Sequence, residues 1–528
     1  MTLPTMTRMT RRRFAALAAL LLPAARMGTA RAAAASDAIP PALGEATPFD
    51  DETVPALARD LAARDYAAPR RVPDAWANLS YDEYRRLRFV ANRAPWLGEA
   101  AHIEFFPPGL FFNEPVDVAL VEEGAARDLA FDPDAFDIPP DLAHLRGGEG
   151  LGFSGFRVVD ESAAGFGPEE YLVFQGASYF RGRGTSEVYG LSARGLVIDT
   201  AEPGGEEFPA FRRFWIEKPR ADGAIRIHAL LDSPSCTGAY LFEAKAGDVT
   251  RMEVSARLYP RRELAHVGIG GQTSMFLFDE SNRARFDDFR AAVHDSDGLL
   301  IDNGGGERLW RPLANPRDLQ VSQFMDTGPR GFGLMQRARD LEEFRDFEAL
   351  YHRRPGLWVT PRGDWGRGSV ALVEIPTDKE IYDNIVAYWR PAAPLAPGTE
   401  HRFDYALAWG KSPQPEGDVG AIVNTAMGER LTGPLLTPDG RRVVIDYAPH
   451  PRLARARQLK ARVTIDRGEV SEAVMTRNPE TDALRMAFHF DPLEHPSVEM
   501  RAVVEDEQGA ASEIWLYRWT PGVEPIRS

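Results

Sequence analysis

Two acidic segments of the sequence carry the residue types that hydrolysis of a glycosidic bond requires. The first is a His-Asp-Ser-Asp-Gly run that contains Asp295 and Asp297, and the second contains Glu374, Glu380 and Asp383. Such hydrolysis generally needs one carboxylic acid to protonate the leaving oxygen and one carboxylate to activate water or attack carbon. Two separate loops with different surroundings can supply that pair, because their environments set different pKa values.

The His-Asp-Ser-Asp-Gly run has two other interpretations. It is similar to the start of a calcium-binding loop, although the glutamate that closes an EF-hand loop is missing. It is also typical of an Asx turn that ends at Gly298. The residues alone leave the three interpretations open.

Aromatic side chains next to glycines and arginines indicate a surface for sugar. Exposed rings stack on the apolar faces of sugar rings, while charged and amide groups bond the hydroxyls. The candidates for contacting sugar are Trp310, Tyr351, Arg353, Trp358 and Trp365. The alternative is that the rings belong to a hydrophobic core, since aromatics dominate cores.

Composition excludes several other functions. The 62 basic and 78 acidic residues give a net charge of −16, so we expect no nucleic-acid partner. Cys236 is the single cysteine, which rules out an intramolecular disulfide and a cysteine-built metal site. Phosphate-binding loops, zinc-protease helices and nucleophile elbows have no match. We therefore expect no cofactor and no metal.

The N-terminus reads as an export signal over residues 1–35. A basic Thr-Arg-Arg-Arg-Phe run at 10–14 precedes a short apolar run and small residues at Ala30 and Ala32. The apolar run is shorter than the roughly 20 residues that span a membrane, and no later segment reaches 18 apolar residues, so we expect no membrane anchor after cleavage. The paired arginines favour a twin-arginine signal over an ordinary secretory signal, and either one places the mature protein outside the cytoplasm.

The mature chain reads as mainly β. Short apolar or alternating runs separated by Gly, Pro and Asp predict antiparallel strands, for example at 225–231 and 251–259. A proline-rich segment at 391–398 predicts a linker between a large β-sandwich at 38–396 and an immunoglobulin-like sandwich at 397–528. Residues 340–351 predict a helix with its apolar residues on one face. The sequence contains no decisive apolar stripe, so monomer and homodimer both stay open.

Four distinctive blocks follow one another along the chain: Phe-Gln-Gly-Ala-Ser-Tyr-Phe-Arg at 174–181, Tyr-Gly-Leu-Ser-Ala-Arg-Gly at 189–195, His-Asp-Ser-Asp-Gly-Leu at 294–299 and Trp-Arg-Pro-Leu at 310–313. Together they resemble the periplasmic glucan biosynthesis proteins of the G and D types. The resemblance implies a galactose-mutarotase-like β-sandwich followed by an immunoglobulin-like domain. With the twin-arginine signal, it favours the D type.

The resemblance also implies a function in making osmoregulated periplasmic glucans with a β-1,2-linked backbone. It implies an inverting endo-β-1,2-glucanase, with Asp383 as general acid, Asp295 as general base acting through waters, and Glu380 as a further acidic residue near the scissile bond. The choice of Asp295 over Asp297 stays open. Two alternatives also stay open: a cyclising transglycosylase, and a non-catalytic glucan-binding protein that controls backbone structure or branching.

Overall fold

A computed structural model of the chain describes residues 39–147, 150–161, 167–432, 437–455 and 458–521. The predicted signal peptide, residues 1–35, lies outside the described residues. Strands account for 47% of the structure and helices for 9%, which confirms the prediction of a mainly β protein with antiparallel sandwich-like sheets.

The largest sheet has 16 strands. In spatial order its strands are Leu43–Pro48, Ala125–Leu129, Asp117–Glu122, Ala210–Glu217, Ile225–Asp232, Cys236–Lys245, Val249–Pro260, His401–Gly410, Gly356–Arg362, Gly331–Met335, Gly298–Asp302, Arg308–Pro312, Ile514–Trp519, Val498–Asp506 and Lys460–Ile465, with Gly509–Ala510 beside Val498–Asp506. Two neighbouring pairs are parallel, Asp117–Glu122 with Ala210–Glu217 and Arg308–Pro312 with Ile514–Trp519. The other pairs in this sheet are antiparallel.

The second sheet has 10 strands, two of which carry Arg181 and Arg194. In spatial order they are Gln320–Thr327, Arg367–Glu374, Ile385–Pro391, Val267–Ser274, Ser192–Arg194, Tyr179–Gly182, Glu169–Gln175, Gly155–Asp160 and Ala101–Phe106, with Val197–Ile198 beside Val267–Ser274. All of these pairs are antiparallel.

The remaining elements are small. A five-stranded sheet contains Ile422–Thr432, Thr437–Tyr447, Leu484–Asp491, Glu469–Val470 and Val474–Arg477, and two-stranded sheets join Phe276–Phe278 to Val293–His294 and Arg88–Phe89 to Phe136–Asp137. The α-helices are Thr53–Ala62, Asp74–Ala77, Tyr81–Tyr84, Leu341–Phe344 and Pro451–Arg455. The 3₁₀-helices are Ala91–Arg93, Pro133–Ala135, Pro140–Arg146, Arg283–Arg285 and Tyr351–Arg353.

The main core lies between the two large sheets. Successive side chains of a strand point to opposite faces, so alternate residues of each sheet enter this core. Phe174 and Phe180 of the second sheet contact Phe242 of the first, each with ring centroids 5.2 Å apart. The same alternation turns Tyr179 and Arg181 to the opposite face, away from the core.

A second core joins the C-terminal strands to the five-stranded sheet. It contains Val443, Ile445, Phe488 and Trp515, all fully buried. The strand that follows the proline-rich linker, His401–Gly410, pairs on both sides with strands of the largest sheet. The five-stranded sheet begins only after that strand, at Ile422–Thr432. The division into domains at residue 396 stays a prediction.

The helix predicted at 340–351 is wrong over most of its length. The helix spans only Leu341–Phe344 and ends at Arg345, whose φ of 56° is left-handed. The carboxylate of Asp346 then accepts hydrogen bonds from the backbone N–H groups of Glu348 and Ala349. These bonds form a tight loop, so the periodic apolar residues do not share one face.

Candidate active site

The backbone of two consecutive residues anchors both predicted catalytic loops. The N–H of Asp295 donates to the carbonyl of Met275 at 2.8 Å. Next along the chain, Phe276 donates its N–H to the side-chain oxygen of Asn384 at 2.8 Å and accepts from the side-chain nitrogen at 2.9 Å. Asn384 is buried and follows Asp383 directly. Both loops are therefore held against one short strand.

The outer face of the second sheet supplies the base of the site. Arg181 and Arg194 lie on adjacent strands, and the residue next to each one along its strand, Phe180 or Ala193, points into the core. Arg181 donates to the hydroxyl of Ser192 at 2.6 Å. Its pKa is lowered by burial, and the nearby carboxylates of Asp383 and Asp295 oppose that shift. A buried guanidinium therefore lies beside both predicted catalytic carboxylates.

Asp383 combines a raised pKa with one carboxyl oxygen that lacks a hydrogen-bond partner among the described residues. Burial raises the pKa of Asp383 to about 6, Arg181 opposes the shift, and the negative charge of Asp295 adds to it. Its Oδ2 atom is shielded from solvent and accepts no hydrogen bond from the described residues. Desolvation disfavours the charged form of a carboxyl group, so this group retains a proton to higher pH than an ordinary aspartate.

Asp295 differs from Asp383 because it has a direct ion pair. The guanidinium of Arg354 donates from Nη1 to Oδ1 of Asp295. Burial raises the pKa of Asp295, whereas Arg354 and then Arg181 lower it. A hydrogen bond from a guanidinium favours the charged carboxylate. Of the two carboxyl groups, Asp295 therefore has the surroundings that favour the ion.

Asp297 is held differently from Asp295. Its Oδ2 accepts the backbone N–H groups of Arg337 and Ala338 at 2.8 and 3.0 Å. Burial raises the pKa of Asp297 to about 6, and these two hydrogen bonds oppose the shift. The charge that raises the pKa of Asp383 comes from Asp295. These contacts favour Asp295 as the partner of Asp383.

Glu380 occupies a third position, next to Asp295. Its Oε2 accepts the hydroxyl hydrogen of Tyr351 at 3.0 Å and pairs with Nη1 of Arg290 at 2.7 Å. The Tyr351 ring also lies under the guanidinium of Arg354, 4.4 Å from its centroid. The negative charge of Glu380 adds to the raised pKa of Asp295, the predicted base.

Three of the predicted sugar-binding residues, all tryptophans, are buried in the two large cores, and Tyr351 is buried in a smaller core with Phe344. Trp310 and Trp358 belong to the core that joins the largest sheet to the five-stranded sheet, and Trp365 belongs to the main core. The guanidinium of Arg337 covers the Trp310 ring at 3.6 Å from its centroid. These contacts do not support stacking on sugar, and the assignment of these three residues to glucose binding stays a prediction.

Arg353 lies at the surface of the protein. It donates from Nε to the carbonyl of Ser186 at 3.0 Å and so ties down the loop before strand Ser192–Arg194. Its neighbour Arg354 is the residue that reaches Asp295. Sequence alone cannot choose between two adjacent arginines in a loop, because the direction of each side chain depends on the turn at Tyr351–Arg353.

Sequence reasoning missed Arg181, Arg290 and Arg354. A signal for Arg181 was present, since it ends the aromatic block at 174–181 on a predicted strand, and Phe180 beside it is a core residue. Alternation would then turn Arg181 to the opposite face. Arg290 lies in a loop without periodicity, so no comparable signal exists for it.

A group of metal-ligand residue types lies elsewhere, at Asp51, Glu217 and His228. Arg226 donates to both carboxylates at 2.8 Å, and His228 contacts Glu217 at 2.8 Å. Because the arginine already compensates these charges, the group is a surface ion-pair network. It lies at the strands Ala210–Glu217 and Ile225–Asp232 of the first sheet.

Comparison with known proteins agrees with the blocks described above. The family described as "Periplasmic glucan biosynthesis protein, MdoG" matches residues 49–519. Glucans biosynthesis protein G of Vibrio cholerae serotype O1 is 48% identical over 478 residues, covering 89% of this chain and 87% of that protein. The chain belongs to the periplasmic glucan biosynthesis protein family. A relative of the same name from Shewanella frigidimarina is 45% identical over 479 residues, covering 89% of this chain and 85% of that protein.

Membership in the periplasmic glucan biosynthesis protein family confirms the predicted family and its involvement in glucan biosynthesis. The preference for the D type is not supported, because the relatives named above are of the G type. That preference depended on the signal residues at 10–14, which lie outside the described residues. Within the described part of this family member, no helix has the length and apolar character needed to cross a membrane.

Because Trp310 is buried, we expect it to contribute to the stability of the fold, and this can be tested. We expect Trp310→Ala to lower the free energy of unfolding by about 3–5 kcal/mol, as buried Trp truncations do. Urea unfolding measures this, with Trp310→Phe as the milder control. Unchanged stability together with weakened glucan binding would show instead that Trp310 contacts sugar.

Proposed function

We propose that this periplasmic glucan biosynthesis protein is an inverting endo-β-1,2-glucanase. Asp383 is its general acid and Asp295 its general base. The observation that carries the proposal is the contrast between two neighbouring carboxyl groups. Asp383 is shielded and has an unbonded oxygen and a pKa of about 6, while Asp295 accepts a hydrogen bond from Arg354.

The surroundings of Asp383 support the assignment as acid. A general acid must hold its proton near the working pH and must point a free oxygen at the leaving group. The shielded Oδ2 of Asp383 has no competing partner among the described residues. In the proposed reaction that oxygen donates its proton to the glycosidic oxygen as the bond to the anomeric carbon breaks.

The surroundings of Asp295 support the assignment as base. Arg354 and Arg181 favour its ionised form, which can take the proton of a water molecule that attacks the opposite face of the sugar. In the family resemblance this transfer runs through a chain of waters. Glu380 adds negative charge near Asp295 and so strengthens it as a proton acceptor, which gives Glu380 an assisting function.

The substrate assignment depends on the family and on the charge of the site. Family membership supplies the glucan, and the resemblance described above supplies the β-1,2 linkage. Charged and hydroxyl groups contact one another around the site: Glu380 pairs with Arg290 and accepts a hydrogen bond from the hydroxyl of Tyr351. Such groups bond the hydroxyls of a neutral sugar in both directions, because guanidinium groups donate and carboxylates accept.

The first prediction of this proposal concerns Asp383→Asn. The substitution keeps the size of the side chain but removes the proton donor, so turnover of linear β-1,2-glucan should fall by about 10²–10⁴-fold while glucan still binds. Product chain length, measured by chromatography and mass spectrometry, reports turnover. Asp378→Asn is the matched control, since Asp378 is an exposed aspartate of the same loop and should leave turnover unchanged.

Three outcomes would contradict the proposal in different ways. Near wild-type turnover by Asp383→Asn would remove Asp383 from the mechanism. Cyclic or rearranged products from the wild-type protein would identify a transglycosylase. Binding of glucan by the wild-type protein without any change of chain length would identify a binding protein.

We further propose that the protein reaches the periplasm through a twin-arginine signal. The support is the Thr-Arg-Arg-x-Phe order, in which Arg11 and Arg12 form the pair. Replacing both by lysine should leave the full-length precursor in the cytoplasm, as cell fractionation can measure. Arg13→Lys is the control and should be exported, and normal export of the double variant would indicate an ordinary secretory signal.

A further inference from the structure

Three large apolar side chains near the carboxylates are exposed to solvent. Phe289 and Phe347 have exposed fractions of 77% and 78%, and Ile381 has 48%. Among the described residues, the next most exposed phenylalanine is Phe111, with an exposed fraction of 41%. We call Phe289, Phe347 and Ile381 the apolar rim.

One arginine connects the three loops that carry the apolar rim. Arg290 pairs through Nη1 with Asp346 at 2.9 Å and with Glu380 at 2.7 Å. Phe289 directly precedes Arg290, Phe347 directly follows Asp346, and Ile381 directly follows Glu380. The three rim residues therefore each adjoin a member of the same ion-pair network.

The rim is continuous with the proposed catalytic carboxylates. Glu380, at the centre of the network, accepts the hydroxyl hydrogen of Tyr351. The Tyr351 ring lies under the guanidinium of Arg354, which donates a hydrogen bond to Asp295. A chain that passes the carboxylates would reach the rim next.

The backbone conformation of the loop around Phe347 holds this residue outside the core. Arg345 and Leu350, on either side of it, both have left-handed φ values, 56° and 51°. Such conformations are unfavourable in residues other than glycine and cluster at functional sites. The helical periodicity of this segment would bury Phe347 with Phe344, which is fully buried. In the structure Phe347 is exposed instead.

We propose that the apolar rim is a sugar-binding surface that holds glucose units of the glucan chain beyond those at the carboxylates. The proposal rests on the proposed function, because the occupant is the same chain. Phenyl rings cover the C–H faces of glucose, and the ion pairs of Arg290 fix the loops in advance. Fixing a binding surface before the ligand arrives lowers the entropy cost of association. Exposed apolar clusters of this kind commonly mark a binding surface.

The test compares long and short glucans in a protein that cannot cut them. In the full-length Asp383→Asn protein, we expect Phe289→Ala with Phe347→Ala to weaken binding of a long linear β-1,2-glucan about tenfold or more. Binding of sophorose, the β-1,2-linked disaccharide, should not change, because it is too short to reach the rim. Isothermal titration calorimetry measures both affinities.

Two control variants keep the test interpretable. Met325→Ala removes another exposed apolar side chain, 64% exposed, on the edge strand Gln320–Thr327 of the second sheet and should not alter glucan binding. Phe289→Tyr with Phe347→Tyr keeps both rings and should retain affinity for the long glucan. Circular dichroism should show that all variants are folded, since the altered side chains are exposed.

The outcomes separate this inference from the proposed function. Unchanged affinity of the alanine variant for long glucan would overturn the rim while leaving catalysis by Asp383 intact. If the wild-type protein binds long glucan without cutting it and the alanine variant loses that binding, the rim stands and the glucanase proposal fails. A wild-type dimer that the alanine variant converts to a monomer, by analytical ultracentrifugation, would show that the rim contacts a second copy and would overturn the inference.

Discussion

The backbone of Met275 and Phe276 is the constraint on which the site depends. Its hydrogen bonds reach Asp295 on one side and Asn384, the neighbour of Asp383, on the other. Phe276 itself pairs with His294 in a two-stranded sheet and is fully buried. Two loops that are far apart in sequence thus share one anchor. A shift of this strand would move both carboxylates, so the spacing of acid and base is a property of the buried backbone.

Buried arginines determine how the carboxylates differ. Burial raises the pKa of both Asp295 and Asp383, so burial alone does not separate an acid from a base. Arg354 bonds Asp295 directly, whereas Asp383 interacts with the charge of Arg181 and keeps one oxygen unbonded among the described residues. The hydrogen bond from Arg354 is therefore the main difference between the proposed base, Asp295, and the proposed acid, Asp383. The same principle appears at Glu380, where Arg290 sets the position of the carboxylate and of the apolar rim.

Sequence patterns predict the strands of this protein well but predict its loops poorly. The segments predicted as strands at 225–231 and 251–259 are the strands Ile225–Asp232 and Val249–Pro260, because one buried face dictates a period of two. The segment at 340–351 has helical periodicity, yet the Asp346 carboxylate and the left-handed Arg345 end the helix early. At the site, the acidic residues could be singled out by chemistry and family resemblance. Their arginine partners depend on tertiary contacts that no local pattern encodes.

The pH dependence of kcat/KM for linear β-1,2-glucan tests the central claim most directly. Asp383 must be protonated to act, and its pKa is raised to about 6, so the rate should fall about tenfold per pH unit above that value. Asp295 must be ionised to accept a proton, so the rate should also fall at acid pH, below its own raised pKa. The account therefore predicts a bell-shaped profile whose alkaline limb begins near the pKa of Asp383. A rate that stays constant or rises from pH about 6 to about 8 would contradict the assignment of Asp383 as the proton donor.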